Sequence, residues 1–455
     1  MGYRMNWPGR PMRFVAFALA TAATTAAGAA AQSPPVTAAA TVRSELTEAE
    51  RQAALQAIRA RLGKAYIYPA LAPAILARLD AATARYATGD AAEFAALVTE
   101  DLQVASKDTH LYLNFEPEWY AAATGAADPH MRAGANAAEL QHARDFNHGW
   151  VEQKILPGNV RLAKLVGFFW SGAESAEAYD AGMRFLSKGR AAIIDLRGNR
   201  GGDTQALYYL LSHFVAGGAT ITTVVTPGGR DHIVRSKRNL PAGLLTGLPL
   251  YVLVDSRSRS AAEAVAHTVR ELKLGEVVGE RTEGANHISD DTPIAPGFRL
   301  SVPLSYTLDP VSKSNWEGQG VQPTIAVASA EALDTAYADA LALLLARTPG
   351  GQTRDFLVWA RDGLAARRSR YNPLAGELAS LAGSYGVASI ELRDSALWLH
   401  RPDRREVELK PIGAGGLFEA VDDDTLRVRI GGGTLEIFRP GQPGRRFVAS
   451  TKPPA

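Results

Sequence analysis

Apolar residues recur along this chain first every three or four positions, then in short continuous runs, then in simple alternation, and each change of period marks a change of architecture. From Leu46 to Thr109, LTEAERQAALQAIRARLGKAYIYPALAPAILARLDAATARY and FAALVTEDLQVAS carry helical spacing, broken at Tyr68-Pro69. They predict a small helical domain over 45–115, ending in the extended HLYLNFEPEWY. The Ala- and Gly-rich stretch 121–141 has few bulky apolar residues and predicts an irregular connector over 116–148, of exposed loop or short helices. From Gly149 the strand-like runs RLAKLVGFF, AAIIDL, ATITTVVT, PLYVLV and FRLSVPLSYTL alternate with the helical runs SAEAYDAGMRFLSKG and TQALYYLLSHFVAG. That alternation is the pattern of an α/β core, 149–347, closed by a helix from Ala330 to Ala346. Past the breaker Thr348-Pro349-Gly350-Gly351, a linker over 348–378 holds one more helix, Asp355 to Arg368. Short alternating segments separated by Gly, Asp and Pro turns then predict a small antiparallel β domain over 379–455, a barrel or sandwich.

At 455 residues the chain has room for two or three domains with full hydrophobic cores. It contains no cysteine, which excludes thiol catalysis, Cys-ligated zinc and disulfides. Arg4, Arg10 and Arg13 precede the apolar run Phe14 to Ala27, and Ala29-Ala30-Ala31 offers small residues for cleavage, so 1–31 reads as a secretory signal peptide. The expected mature protein is exported, periplasmic or secreted, and no later segment is long and apolar enough for an integral membrane span. Removing three arginines takes the formal charge from +2 to −1, and nothing points to a nucleic-acid partner.

Chemistry concentrates in YVLVDSRSRSAAEAVAH, Tyr251 to His267, where an apolar strand enters a serine-rich turn that delivers Ser260 to the start of a helix. A hydroxyl there faces the positive end of the helix beside free N–H groups, which suits a nucleophile and suits an N-cap equally. A second segment, AAIIDLRGNRGGD, ends a buried strand in a turn through Gly198, Gly201 and Gly202, where N–H groups can gather on one side. Its spacing matches neither a P-loop nor a dinucleotide fingerprint, and Asp195 with Arg197 is expected to brace the turn. A hydroxyl nucleophile needs a base, an orienting group and oxyanion donors. Of nine histidines, His110 stands out where the helical segment turns extended, with His287 in TEGANHI as its rival. His267, two turns along the helix from Ser260, should not reach the hydroxyl. Glu317, in the Gly-bounded loop SNWEGQGVQP, is a candidate orienting group or an ordinary exposed glutamate.

IIDLRGNRGG, VLVDSRSRSAAEAVA, VVGERTEGA and EGQGVQP, in that order, resemble the C-terminal processing (tail-specific) serine peptidases. The helical segment resembles the branch that includes tricorn protease and interphotoreceptor retinoid-binding protein, so the resemblance covers roughly Leu46 to Ala346. It implies a crotonase/Clp-like ββα spiral core. It also implies Ser260 as nucleophile. Where the Ser/Lys enzymes carry lysine after the TxG turn, Thr282-Glu283-Gly284 is followed by Ala285, which argues against a dyad. The branch's histidine, in an Asp-x-His setting, falls on His110 of Asp108-Thr109-His110, with Thr109 in the place of a hydroxyl residue. Its glutamate falls on Glu317. Oxyanion donors carry over to Ala261 and to Gly201 or Gly202. About forty residues separate LYLNF from the first core strands, too few for the PDZ domain of many relatives. The resemblance thus implies an exported serine peptidase that hydrolyses peptide or protein substrates through an acyl-enzyme, with no metal or other cofactor. Two alternatives stay open: a non-catalytic binder of an apolar ligand or peptide on the same scaffold, and a small-molecule esterase.

Overall fold

The computed structural model describes residues 44–125, 129–369 and 371–450, with the backbone alone over 129–136; the leader expected at 1–31 lies outside them. The helical spacing near the start becomes α1 (Glu48–Ala65), α2 (Ala72–Ala81) and α3 (Ala91–Ser106), with Tyr68-Pro69 in the α1–α2 turn. Thr47 and Glu50 form a reciprocal capping box on α1, and Asp90 caps α3 by accepting from Glu93 N at 2.8 Å. Strand β1 (Tyr112–Phe115) follows. The connector stretch, expected as exposed loop or short helices, forms α4 (Pro117–Ala123) and the longer α5 (Pro129–Asp145), and its described residues contain no strand. Alanine has the highest helix propensity of all residues, so a polar, Ala-rich run can coil on the surface without a bulky apolar face.

The core then runs β2 (Trp150–Leu156), β3 (Val160–Leu165), α6 (Ala173–Ser187), β4 (Ala191–Asp195), α7 (Thr204–Ser212), β5 (Thr220–Val225), β6 (His232–Arg235), β7 (Leu250–Val254) and α8 (Ala261–Glu271). It continues through β8 (Glu276–Gly279), β9 (Ile288–Ile294), β10 (Phe298–Leu308), β11 (Ile325–Ala326) and α9 (Ala332–Arg347). One six-stranded sheet has the order β11-β8-β7-β4-β3-β2, parallel except for the edge hairpin of β2 with β3. Every residue of β4 and β7 is buried, because helices cover both faces. Ile194, Val252 and Val254 point to α7 and α8, packing with Leu210 and Val265. Ile193, Tyr251 and Leu253 alternate to the other face and meet Tyr337 and Leu341 of α9. The apolar runs at these two strands are therefore continuous for a physical reason.

A second, antiparallel sheet, β1-β10-β5-β6 with β9 also on β10, forms the floor beneath the N-terminal helices. Ile58, Leu79, Phe94 and Val98 bury against Phe298, Leu300 and Val302 of β10 in one cluster. The N-terminal helices thus share a core with β10, and the loops after α1 and α3 are carried to the α/β part. After α10 (Gln352–Arg368) and α11 (Ala375–Leu381), eight antiparallel strands between 383 and 448 pair in chain order. A bridge from Tyr385 to Ala449 brings the first of these strands to the end of the eighth, so the sheet curls into a nearly closed barrel. Buried Arg427 ties this barrel to α10: it donates to Trp359 O at 2.8 Å, lies 4.0 Å over the Trp359 ring and pairs with Glu419 at 2.9 Å. Among the described residues no helix is long and apolar enough to cross a membrane.

Candidate active site

The carboxyl ends of neighbouring parallel strands β4 and β7 open into the two glycine- and serine-rich turns, where parallel sheets usually place their sites. Asp195 holds the first turn through a bidentate pair with Arg197, at 2.8 and 2.7 Å, and Arg197 reaches Ser329 O at 2.6 Å. Ser258 holds the second: its hydroxyl is buried and donates to Leu196 O at 2.8 Å. These turn residues brace Ser260, which immediately precedes α8 with φ 54° and ψ −118°. A non-glycine residue there costs about 1–3 kcal/mol and persists only where its surroundings enforce it.

The enforcing group is Glu263, one turn into α8 and fully buried. Its carboxylate accepts from Ser260 N at 2.9 Å, Thr282 Oγ1 at 2.5 Å, Gly284 N at 2.6 Å and Ala285 N at 2.8 Å. Burial pushes its carboxyl above the ordinary range even against these donors. The Ser260 hydroxyl makes no capping hydrogen bond, so its side chain is not spent on the helix. Gly201 packs directly against it: a Cβ there would meet Ser260 Cβ at 2.8 Å and Ala261 N at 3.0 Å. The two candidate glycines differ. Gly201 N already donates to Asn199 Oδ1 at 2.8 Å, so of the pair only Gly202 remains to offer an amide alongside Ala261. Ala261 is the first residue of α8, and its N–H has no partner within that helix.

Around Ser260 a small open pocket of about 30 Å³ is lined by Leu207, Tyr208, Ala264, His287 and Trp316. His110, at the end of the α3–β1 turn, and Glu317, between β10 and β11, gather with Asp108 and His287 so that one donor atom of each lies within 4.8 Å of the others. His287 is fully engaged. Its Nδ1 lies 2.8 Å from Asp108 Oδ2 and its Nε2 2.9 Å from Tyr68 Oη. An ionised carboxylate only accepts, so Nδ1 donates to Asp108 and Nε2 accepts from the tyrosine hydroxyl. His110 is the opposite case: buried, with neither ring nitrogen hydrogen-bonded among the described residues. Burial lowers its pKa, only partly offset by Asp108, whose Oδ1 stands 3.7 Å from His110 Nδ1. Burial would raise the Asp108 carboxyl, but the two histidines and the His110 N–H at 2.9 Å hold it well below the usual range.

Two expected contacts take other partners. Glu317 approaches His287 Nδ1 at 3.6 Å and accepts from Asn286 N at 2.5 Å rather than bonding to His110. Thr109 accepts from Arg259 Nη2 at 2.9 Å, and Arg259 pairs with Glu283 on the rim. Asp108, two residues before His110, brings its Oδ1 to 3.7 Å from the His110 ring, and Glu317 stays in the same cluster. His267 is buried against Trp316, ring centroids 4.8 Å apart, as a packing residue. Tyr68 and the bridging role of Asp108 went unread because they depend on approaches across 219 and 179 residues. Glu263 had a local signal, the Ser-x-x-Glu spacing of a capping box.

A presented hydroxyl, a free imidazole lone pair and two backbone N–H groups are the parts of acyl-transfer chemistry. Residues 161–327 match the model of peptidase family S41. The chain is 28% identical over 158 residues to the carboxy-terminal processing protease CtpB of Bacillus subtilis, covering 34% of this chain and 31% of that protein. It is 30% identical over 141 residues to the chloroplastic carboxyl-terminal-processing peptidase 1 of Arabidopsis thaliana, covering 31% of this chain and 28% of that one. The chain thus spans less than a third of the length of these curated relatives. Among solved structures, the photosystem II D1 C-terminal processing protease aligns at 17% identity with a TM-score of 0.41, over 62% of this chain and 94% of that chain.

Proposed function

We propose that this protein is an exported serine peptidase that cleaves peptide bonds through an acyl-enzyme, with Ser260 as nucleophile and His110 as general base. Export rests on the leader pattern at 1–31. The observation that carries the mechanism is the contrast between the two histidines: His287 has both nitrogens committed, whereas His110 is held neutral with both free. A base must offer a lone pair, and only His110 has one to give. Asp108 steadies the His110 ring and the imidazolium that forms, with Glu317 adding negative charge beside the cluster. The substrate carbonyl lodges against the N–H groups of Ala261 and Gly202. No Ser260 hydroxyl to imidazole hydrogen bond forms in the free protein; substrate is expected to tighten that approach.

The test is labelling by a fluorophosphonate serine probe, paired with digestion of a diverse peptide library read by mass spectrometry. Wild-type protein should label and cleave. Ser260→Ala should lose both, by about 10⁴-fold or more in cleavage rate, with an unchanged melting temperature. Undiminished labelling of Ser260→Ala would remove Ser260 from the mechanism.

A further inference from the structure

We infer that Asp108, His110, His287 and Glu317 form a binding site for a divalent transition metal of the zinc class, and that occupancy of this site switches the peptidase off. Three observations point to a cation. The first is negative charge held without a lysine or arginine partner. Asp108 and Glu317 have side chains only 3% and 17% exposed, and among the described residues no lysine or arginine forms an ion pair with either. Buried carboxylates ordinarily have such a partner or a metal. The second is His110, whose side chain is 9% exposed and whose two nitrogens lack partners, beside the other donors. A buried imidazole with no hydrogen bond is a costly arrangement that a metal bond would relieve.

The third observation is spacing. His287 Nδ1 lies 2.8 Å from Asp108 Oδ2 and 3.6 Å from Glu317 Oε1, and His110 Nδ1 lies 3.7 Å from Asp108 Oδ1. Tetrahedral zinc with bonds of about 2.0–2.1 Å needs donors about 3.3 Å apart, and one donor atom of each residue already lies within 4.8 Å of the others, so side-chain movements that draw the widest pair together by about 1.5 Å close the cage. Two imidazoles and two carboxylates suit zinc and cobalt better than magnesium or calcium, which prefer oxygen alone. The cage is also electrically complete: two carboxylates and two neutral imidazoles cancel a divalent charge.

Tyr68 supplies the supporting contact. To bind metal, His287 must give up the Nδ1 proton; with the proton on Nε2 instead, the ring donates to Tyr68 Oη, 2.9 Å away. No new atom is needed for that reversal. A neutral imidazole has one lone pair: metal on His110 Nδ1 leaves the ring proton on Nε2, so no lone pair remains to take the Ser260 proton, and metal binding and proton abstraction exclude each other. This regulatory half rests on the proposed mechanism; the binding half rests on the cluster alone.

Cobalt(II) separates the two. Chelator-stripped Ser260→Ala protein, which cannot turn over, should bind one cobalt per chain with the strong visible bands of four-coordinate cobalt. Zinc titrated by calorimetry should compete with it. His287→Ala should weaken zinc at least 100-fold and Glu317→Gln at least 10-fold, each with unchanged circular dichroism. In wild-type protein, zinc should block probe labelling at the concentration that fills the site, and chelator should restore it. Absence of saturable binding by the Ser260→Ala protein, or affinities unmoved by both substitutions, would overturn the site. Cleavage that rises with zinc would overturn the inhibitory role. If the stripped wild-type protein fails to label while the cobalt bands appear, the peptidase reading fails and the metal site stands.

Discussion

The two halves of the candidate site are built in opposite ways. Ser260, Ala261 and Gly202 sit in tight turns at the ends of adjacent buried strands and are held by backbone hydrogen bonds, buried carboxylates and a strained residue. His110, His287, Asp108 and Glu317 come from three separate loops and are held by one another's side chains, over apolar contacts between the N-terminal helices and β10. The proposed nucleophile is therefore positioned by the fold, whereas the proposed base is positioned by a polar cluster that must assemble. Disturbing a strand end should damage the first half; altering one charge or one hydroxyl should retune the second.

The largest difference should come from the two histidines. His110→Ala should lower kcat by about 10³-fold, within the range for a general base, whereas His287→Ala should cost only about 10-fold, read by the same peptide assay. Equal losses would erase the distinction between a free and a committed imidazole. On the rigid side, Gly201→Ala should cost about 1–3 kcal/mol by denaturant unfolding and abolish most labelling, because φ 95° and a Cβ 2.8 Å from Ser260 Cβ leave no relaxed solution. Full activity there would show that the turn yields more easily than its packing implies. The smallest effect is on pH dependence. Burial lowers the His110 pKa, so the neutral base persists below pH 6.5, and kcat/KM should fall only as pH drops further. Asp108 favours protonated His110, so Asp108→Asn should move that acidic limb lower still. A limb at or above 6.5 in the wild type would contradict the assignment.

The same contrast explains which features could be read from residues alone. The Ser260 turn, the Gly201-Gly202 turn and the strand before each are contiguous, and their burial on two faces writes itself as an unbroken apolar run. The turn-punctuated alternation after 379 became a strand-by-strand meander because each hairpin is local. His110 stood out by its place where the helical segment turns extended, and its role as base came from resemblance. The Tyr68–His287–Asp108 chain was invisible, since no spacing in the sequence encodes that approach. β9 was also missed: ISDDTPI is a polar edge strand that pairs with β10 alone, a half-exposed strand without clean alternation. The oxyanion choice between Gly201 and Gly202 needed the Asn199 side chain in place.

The nearly closed sheet at the C-terminal end carries one further implication. A strand at the margin of an open sheet exposes a row of unpaired N–H and C=O groups onto which any extended polypeptide can zip. In the C-terminal barrel those margins meet at Tyr385 and Ala449, with Ser450 N donating to Ser384 O at 2.9 Å. A protein proposed to cleave peptide bonds thus carries a β module with little open border, one that an extended peptide would find hard to lengthen.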